Sequence, residues 1–254
     1  MLTIEYNSTN IDFNKETNIK MIGEGTSGKI YKFNTIQSVI KILKNNYSFE
    51  YNFYKHFLDR ILQHEINTKI GYPVAYGNIH ESFDTFTNNN KFLILNFYNK
   101  LDILLIEGET MGDKVFNLIK QLIEIEIFLE DNINCINLDI KLANLMMDNN
   151  NNIKIIDFGL IKEFNKGDMF YSYNNYYVWP TRRCYLDCVP LYSIFILVCN
   201  IFMDLSDIKK DNSFYLLKKI KEIINPSYKL NNLLNYLILL KYDSKTVYNF
   251  FFNI

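Results

Sequence analysis

The chain has no excess of charge of either sign: 27 Lys and Arg stand against 28 Asp and Glu, for a net charge of -1. That balance leaves no basic footprint for a nucleic acid and no polybasic anchor for a membrane surface, so neither is expected as a partner. The opening stretch MLTIEYNSTNIDFNK mixes polar, acidic and apolar residues and lacks the positive start and apolar run of a secretion signal. The longest late apolar run, from Val189 to Met203, is interrupted by Tyr192, Ser193 and Asn200. It is too short to span a bilayer comfortably, and a buried helix is expected there. Cysteine is sparse: Cys135, Cys184, Cys188 and Cys199 form no CxxC pair, and His56, His64 and His80 all lie upstream of them. Reduced core thiols in an intracellular, cytoplasmic protein are expected, not a zinc site or a disulfide framework. Alanine is almost missing while Asn, Ile, Lys, Tyr and Phe abound, a bias of AT-rich codons that speaks to the genome and not to the chemistry.

What is present suffices for a folded protein. The 254 residues are 48% hydrophobic and 16% aromatic, enough for one large domain or two small lobes. NIKMIGEG and KIYKF alternate apolar and polar residues on both sides of a glycine turn, which predicts a hairpin, and SVIKILK predicts a third strand. From Ser48 to Gln63 the residues Phe49, Phe53, Phe57 and Ile61 recur every fourth position and predict one apolar helical face. KFLILNFY returns to strand. From Gly112 onward, Val115, Leu118, Ile119, Leu122, Ile123, Ile125 and Leu129 describe a long buried helix. INLDIKLANLMMD and IKIIDFGL then read as a loop and two short strands around an Asn-rich turn, and the remainder is helical with Pro190 and Pro226 as breaks. A β-rich unit over about 1–96, a hinge near 96–99 and a mostly helical unit over about 100–254 are expected, an α+β class.

The glycines of MIGEGTSGKIYKF admit two readings. Gly23, Gly28 and Lys29 nearly spell a P-loop, but that loop needs a following helix and a Ser or Thr after the lysine; Ile30 stands there and a strand follows. Gly23, Gly25 and Gly28 also spell GxGxxG, a hairpin whose backbone amides approach phosphate oxygens without a Cβ in the way. The expected nucleotide-covering residues are Ile22, Gly23, Glu24, Gly25, Thr26, Ser27, Gly28, Lys29 and Ile30. Lys41, on the third strand, has the reach to touch α- and β-phosphates, with Glu50 on the next helix as its expected partner and Glu65 as the alternative. In NLDIKLAN, Asp139 is positioned to accept a hydroxyl proton, Lys141 to lie along a transferring phosphate, and Asn144 to bind a metal. Thirteen residues after Asn144, Asp157 in IDFG ends a strand and is the second metal-ligand candidate.

In this order the motifs resemble those of the eukaryotic-type protein kinases, over about Ile22 to Gly159. The resemblance implies a bilobal fold with ATP in the cleft, Mg2+ as cofactor, a protein substrate, Asp139 as base, Lys141 as transfer-stabilising lysine and Asn144 and Asp157 as metal ligands. The lysine of DIKLAN favours serine/threonine specificity. Two departures stand out: Asn137-Leu138-Asp139 replaces the usual HRD, leaving no arginine for a loop phosphate, and no APE follows. Trp179 and Pro180 are expected in its place, with Thr181 or Arg182 shaping the substrate site, and Asp187 matches poorly the aspartate that usually anchors this region. Only about 95 residues follow DFG, so an abbreviated helical lobe is expected, of the compact kind a large DNA virus or an AT-rich microbe would encode. A pseudokinase scaffold and a small-molecule kinase are the alternatives. The second is disfavoured by Gly159 and Lys141.

Overall fold

Short apolar strands, several of them buried along nearly their whole length, build most of the first unit. The computed structural model describes residues 2–7, 19–34, 36–44, 48–79, 90–171, 180, 183–205 and 213–253. Trp179, Thr181, Arg182 and most of the tyrosine-rich stretch after Tyr171 lie outside the described residues. Contacts divide the chain into Met1–Asn99 with Ile156–Leu160, and Lys100–Ile155 with Ile161–Ile254.

In the first unit, β1 (Leu2–Asn7), β2 (Ile19–Glu24), β3 (Gly28–Phe33), β4 (Ser38–Leu43), β5 (Pro73–Ile79) and β6 (Lys91–Asn96) form one sheet in the order β1-β5-β6-β4-β3-β2. All its pairings are antiparallel. One apolar cluster joins Tyr31, Phe33, Ile40, Ile42, Val74, Ala75, Ile79, Phe92 and Ile94. Strand β4 is buried along its whole length and sits between β3 and β6, which puts Lys41 opposite Ile30 on one side and Leu93 on the other. Helix α1 (Phe49–Gln63) follows, and its inward face differs from the expected one. Phe49 is 64% exposed and Phe57 is half-buried, while Glu50, Tyr51, Tyr54 and Leu58 join Phe53 and Ile61 inside. The reason is polar: Glu50 turns in to meet a cation on β4, and the Tyr54 hydroxyl donates to the Gly71 carbonyl at 2.7 Å.

At the division of the chain, β7 (Asn99–Lys100) joins a small sheet with β9 (Leu145–Met147) and β10 (Ile153–Ile155) of the second unit. Helix α2 (Met111–Phe128) starts at a capping box: the Asp113 N–H donates to Thr110 Oγ1 at 3.1 Å, and the Thr110 N–H donates to Asp113 Oδ2 at 3.0 Å. Its stripe from Val115 to Leu129 is buried throughout, as the period predicts. A π-helical turn over Leu129–Ile133 ends it, and Asn134, at φ 59°, reverses the chain into β8 (Cys135–Asn137). Strand β11 (Ile161–Glu163) pairs with β8, and β12 (Met169–Phe170) with β13 (Cys184–Tyr185).

The helices α3 (Val189–Phe202), α4 (Ser213–Ile224), α5 (Tyr228–Ile238) and α6 (Ser244–Phe251) complete this unit. Pro190 lies in the first turn of α3 and starts that helix; it does not break one, because a first-turn residue has no intrahelical N–H to lose. Among the described residues, no helix is long and apolar enough to cross a membrane. The four cysteines are free and buried.

Candidate active site

The residues expected to hold a nucleotide lie in the first unit. Strands β2 and β3 form the glycine hairpin, with a register shift between Met21 and Gly23. The Gly25 N–H donates to the Gly28 carbonyl at 2.9 Å, and Lys44 Nζ donates to the Gly25 carbonyl at 3.0 Å, so the tip is tied down from β4's end. The three glycines serve different ends. A Cβ at Gly28 would stand 2.1 Å from the Ile42 carbonyl oxygen, so β3 requires glycine there simply to lie against β4. A Cβ at Gly23 or Gly25 would meet nothing within 4 Å. Packing therefore does not require glycine at those two positions. Ile22, Glu24, Gly25 and Thr26 are exposed; Gly23, Ser27, Lys29 and Ile30 are half-buried.

This division gives a direct test of the hairpin. Gly28→Ala is expected to lower the melting temperature by roughly 5 °C, because backbone must move to admit the methyl group. Gly25→Ala is expected to melt with the wild type yet bind ATP several-fold more weakly. Thermal melts and a nucleotide titration on both variants check this, and equal melting of the two would remove the distinction.

On the strand beside the hairpin, Lys41 is 5% exposed, and Glu50 on α1 is 1% exposed. Lys41 Nζ lies 2.6 Å from Glu50 Oε2 and 3.0 Å from Asp157 Oδ1. Burial alone would pull the Lys41 ammonium down, but the two carboxylates hold it above its ordinary range. Glu50 is pushed up by burial and by the Asp157 charge, against the pull of Lys41. One cation thus serves two anions in a site largely closed to water. Glu65, the alternative partner, is exposed in the 3₁₀ turn Glu65–Thr68.

Asp157 itself takes the left-handed conformation, φ 65°, and its Oδ1 accepts the Gly159 N–H at 3.2 Å. Aspartate tolerates that region because a short polar side chain bonds its own turn. The next residue, Phe158, is fully buried, stacked on Phe53 at 4.9 Å between ring centroids and edge-on to Tyr54. The helix that carries Glu50 is therefore also the helix that holds the residue after Asp157.

The remaining site residues belong to the second unit. Asp139 and Asn144 are each 5% exposed, on the loop between β8 and β9. Asn144 ends a 3₁₀ turn over Leu142–Asn144, and its Nδ2 donates to the Asp139 carbonyl and to Asp139 Oδ2, both at 3.0 Å. Lys141 Nζ reaches Asp139 Oδ1 at 2.9 Å and is only partly buried. The carboxylate is thus held by an amide on Oδ2 and by an ammonium that reaches both of its oxygens. Leu138, where the sequence leaves no arginine, is buried in an apolar cluster with Ile136, Phe170, Cys184, Leu186 and Val189.

A family model of the protein kinase domain matches residues 17–204. The chain belongs to that family. No curated protein matches it. In this kinase domain the match ends two residues past α3, so α4, α5 and α6 lie beyond it. Two contributors to the site were not singled out by sequence. Phe53 looked like one more apolar position, and Glu126 on α2, whose carboxylate accepts the Asn137 N–H at 3.2 Å, is a charge inside a hydrophobic stripe. That interruption of the stripe was the signal for Glu126. For Phe53 the sequence offers none.

Proposed function

We propose that this chain is an active serine/threonine protein kinase, one domain over residues 1–254, that transfers the γ-phosphate of Mg-ATP to a protein hydroxyl. The observation that carries the reading is the buried ammonium of Lys41 held between Glu50 and Asp157. A lone structural ion pair needs one carboxylate, and a second brings a negative excess that suits a divalent cation.

The residues fit Mg-ATP by their chemistry. Gly23 and Gly25 leave open space where a side chain would stand, Lys41 offers a fixed cation to α- and β-phosphates, and Asp157 and Asn144 offer oxygens of the kind magnesium takes beside phosphates and water. The bound nucleotide supplies the activated phosphoryl group and the metal charge that offsets its developing negative charge. The chain's own residues do the rest. Asp139 accepts the proton of the acceptor hydroxyl, Asn144 holds that carboxylate in one orientation, and Lys141, partly exposed beside it, stabilises charge on the transferring group. Lys141 within DIKLAN supports serine or threonine as acceptor, and the buried free thiols support a reducing, cytoplasmic setting.

The test is transfer of labelled γ-phosphate from Mg-ATP to the protein itself, to basic protein acceptors and to small hydroxylated acceptors, followed by phosphoamino-acid analysis. Label on serine or threonine is expected. Label on a small acceptor alone would mark a small-molecule kinase. A folded protein that binds ATP and transfers nothing would be a pseudokinase.

A further inference from the structure

Helix α2 presents a carboxyl group where an apolar residue would pack. Glu126 is fully buried, and its Oε2 accepts the backbone N–H of Asn137 at 3.2 Å. Asn137 is also fully buried, and its Oδ1 accepts the Asp139 N–H at 2.9 Å. Asp139 in turn accepts from Asn144 and Lys141. Two consecutive hydrogen bonds thus run from the interior of a helix to the residue read above as the base.

Two atoms along this path are conspicuous. Glu126 Oε1 and Asn137 Nδ2 are buried and make no hydrogen bond among the described residues. Burying a carboxyl group and an amide with half their capacity unused is unfavourable, so stability does not account for their presence. Burial drives the Glu126 carboxyl well above its ordinary range, with the Asn137 N–H opposing and Glu130, one turn on, adding to the rise. The group accepts through one oxygen, a role that glutamine can reproduce.

We infer that Glu126 is a positioning residue for phosphoryl transfer: by gripping the Asn137 backbone it fixes the Asn137 side chain, which fixes the backbone of Asp139 and so the direction of its carboxylate. The inference rests on the reading of Asp139 as base. It assigns a task to a residue outside the loop and outside every motif the chain displays. It also explains why Asn137 is an asparagine, since only its side-chain oxygen meets the Asp139 N–H.

Steady-state kinetics on the full chain with Mg-ATP and a basic protein acceptor test it, using Glu126→Gln, Glu126→Leu and Asn137→Ala. Glu126→Gln is expected to keep kcat within about twofold, because a neutral amide oxygen still accepts the Asn137 N–H. Glu126→Leu and Asn137→Ala are expected to lower kcat by roughly ten- to a hundredfold, the loss that a small misplacement of a reacting group brings, with KM for ATP nearly unchanged. Full kcat in Glu126→Leu, or loss in Glu126→Gln equal to that in Glu126→Leu, overturns the inference. Should Glu126→Leu not fold, Asn137→Ala decides the point, since it removes one acceptor and leaves the α2 interior alone. Amide exchange at Asn137 and Asp139 gives a readout independent of turnover. Protection is expected in the wild type and Glu126→Gln and faster exchange in Glu126→Leu. Equal exchange in all three overturns the positioning role, whereas a wild type that shows this protection but transfers no phosphate overturns only the proposed function.

Discussion

Alanine at position 157 is expected to reduce phosphoryl transfer by on the order of a thousandfold or more while the protein stays folded. The expectation of an intact fold comes from the local geometry. Asp157 makes its ion pair with Lys41, and Lys41 keeps Glu50 at 2.6 Å when Asp157 is gone. Two smaller penalties remain: the turn bond from Gly159 is lost, and a non-glycine residue at φ 65° gives up the polar side chain that made this conformation acceptable, about 1 kcal/mol or slightly more. Asp157→Asn separates charge from shape. It retains an acceptor for the Gly159 N–H and suits the left-handed region, so it is expected to melt with the wild type yet to be nearly as inactive as alanine. Turnover and melting temperature measured on both variants check this. Retained transfer in either would remove Asp157 from the metal-ligand role.

Lys41→Met carries the second large effect, and here activity and stability fall together. Removing the ammonium withdraws the fixed charge from the nucleotide phosphates, with an expected loss in kcat of about a hundredfold or more. It also leaves Glu50, 1% exposed, beside Asp157 with no cation between them. Breaking a buried pair in this one-sided way destabilises by about 3–5 kcal/mol. The loss depends on pH with a definite sign. Glu50 already stands above the ordinary carboxyl value of 4.5, and without Lys41 it rises further. A raised native value means that the folded protein binds the proton more tightly than the unfolded one. The deficit of Lys41→Met is therefore smallest below 4.5 and grows as pH rises through the native value. A second substitution, Glu50→Gln, removes the stranded charge and is expected to return most of the stability at pH 7 without returning activity. Stability that failed to recover in the double variant would show that Lys41 contributes through packing and not through charge.

The residues that carry these effects were the most legible part of the chain. Lys41 stands in a strand of Val39, Ile40, Ile42 and Leu43, and Glu50 falls near the start of the next helix, so the pair could be named from spacing. Its surroundings were less accessible. A count of apolar residues puts Phe49 and Phe57 on the inner face of α1, but the face is set by where Glu50 must point, and the tyrosines Tyr51 and Tyr54 follow it inside. Periodicity registers hydrophobicity and not the partner across a sheet. Strand β5 escaped notice because it opens on Pro73 and contains Ala75 and Gly77, all poor strand formers. Strand β1 did alternate, with Leu2, Ile4 and Tyr6 set against polar neighbours, but a single edge strand without an adjacent turn signal reads as an ordinary polar segment. Glu126 was hidden for a different reason. Glutamate is almost never fully buried, so a reading from residue type places it outside.

The place of β1 has a consequence for how the chain comes off the ribosome. Its neighbour in the sheet is β5, and Leu2 pairs with Ile79, so β1 has no partner in the sheet until β5 has emerged. The β2–β3 hairpin and the β4 strand beside it close over short separations and form early, whereas the β1 edge must wait for a long-range encounter. The order of the strands in the chain is therefore not the order in which the sheet can assemble. β1 is translated before β2 yet pairs after it, and until β1 docks the outer edge of β5 stands uncovered.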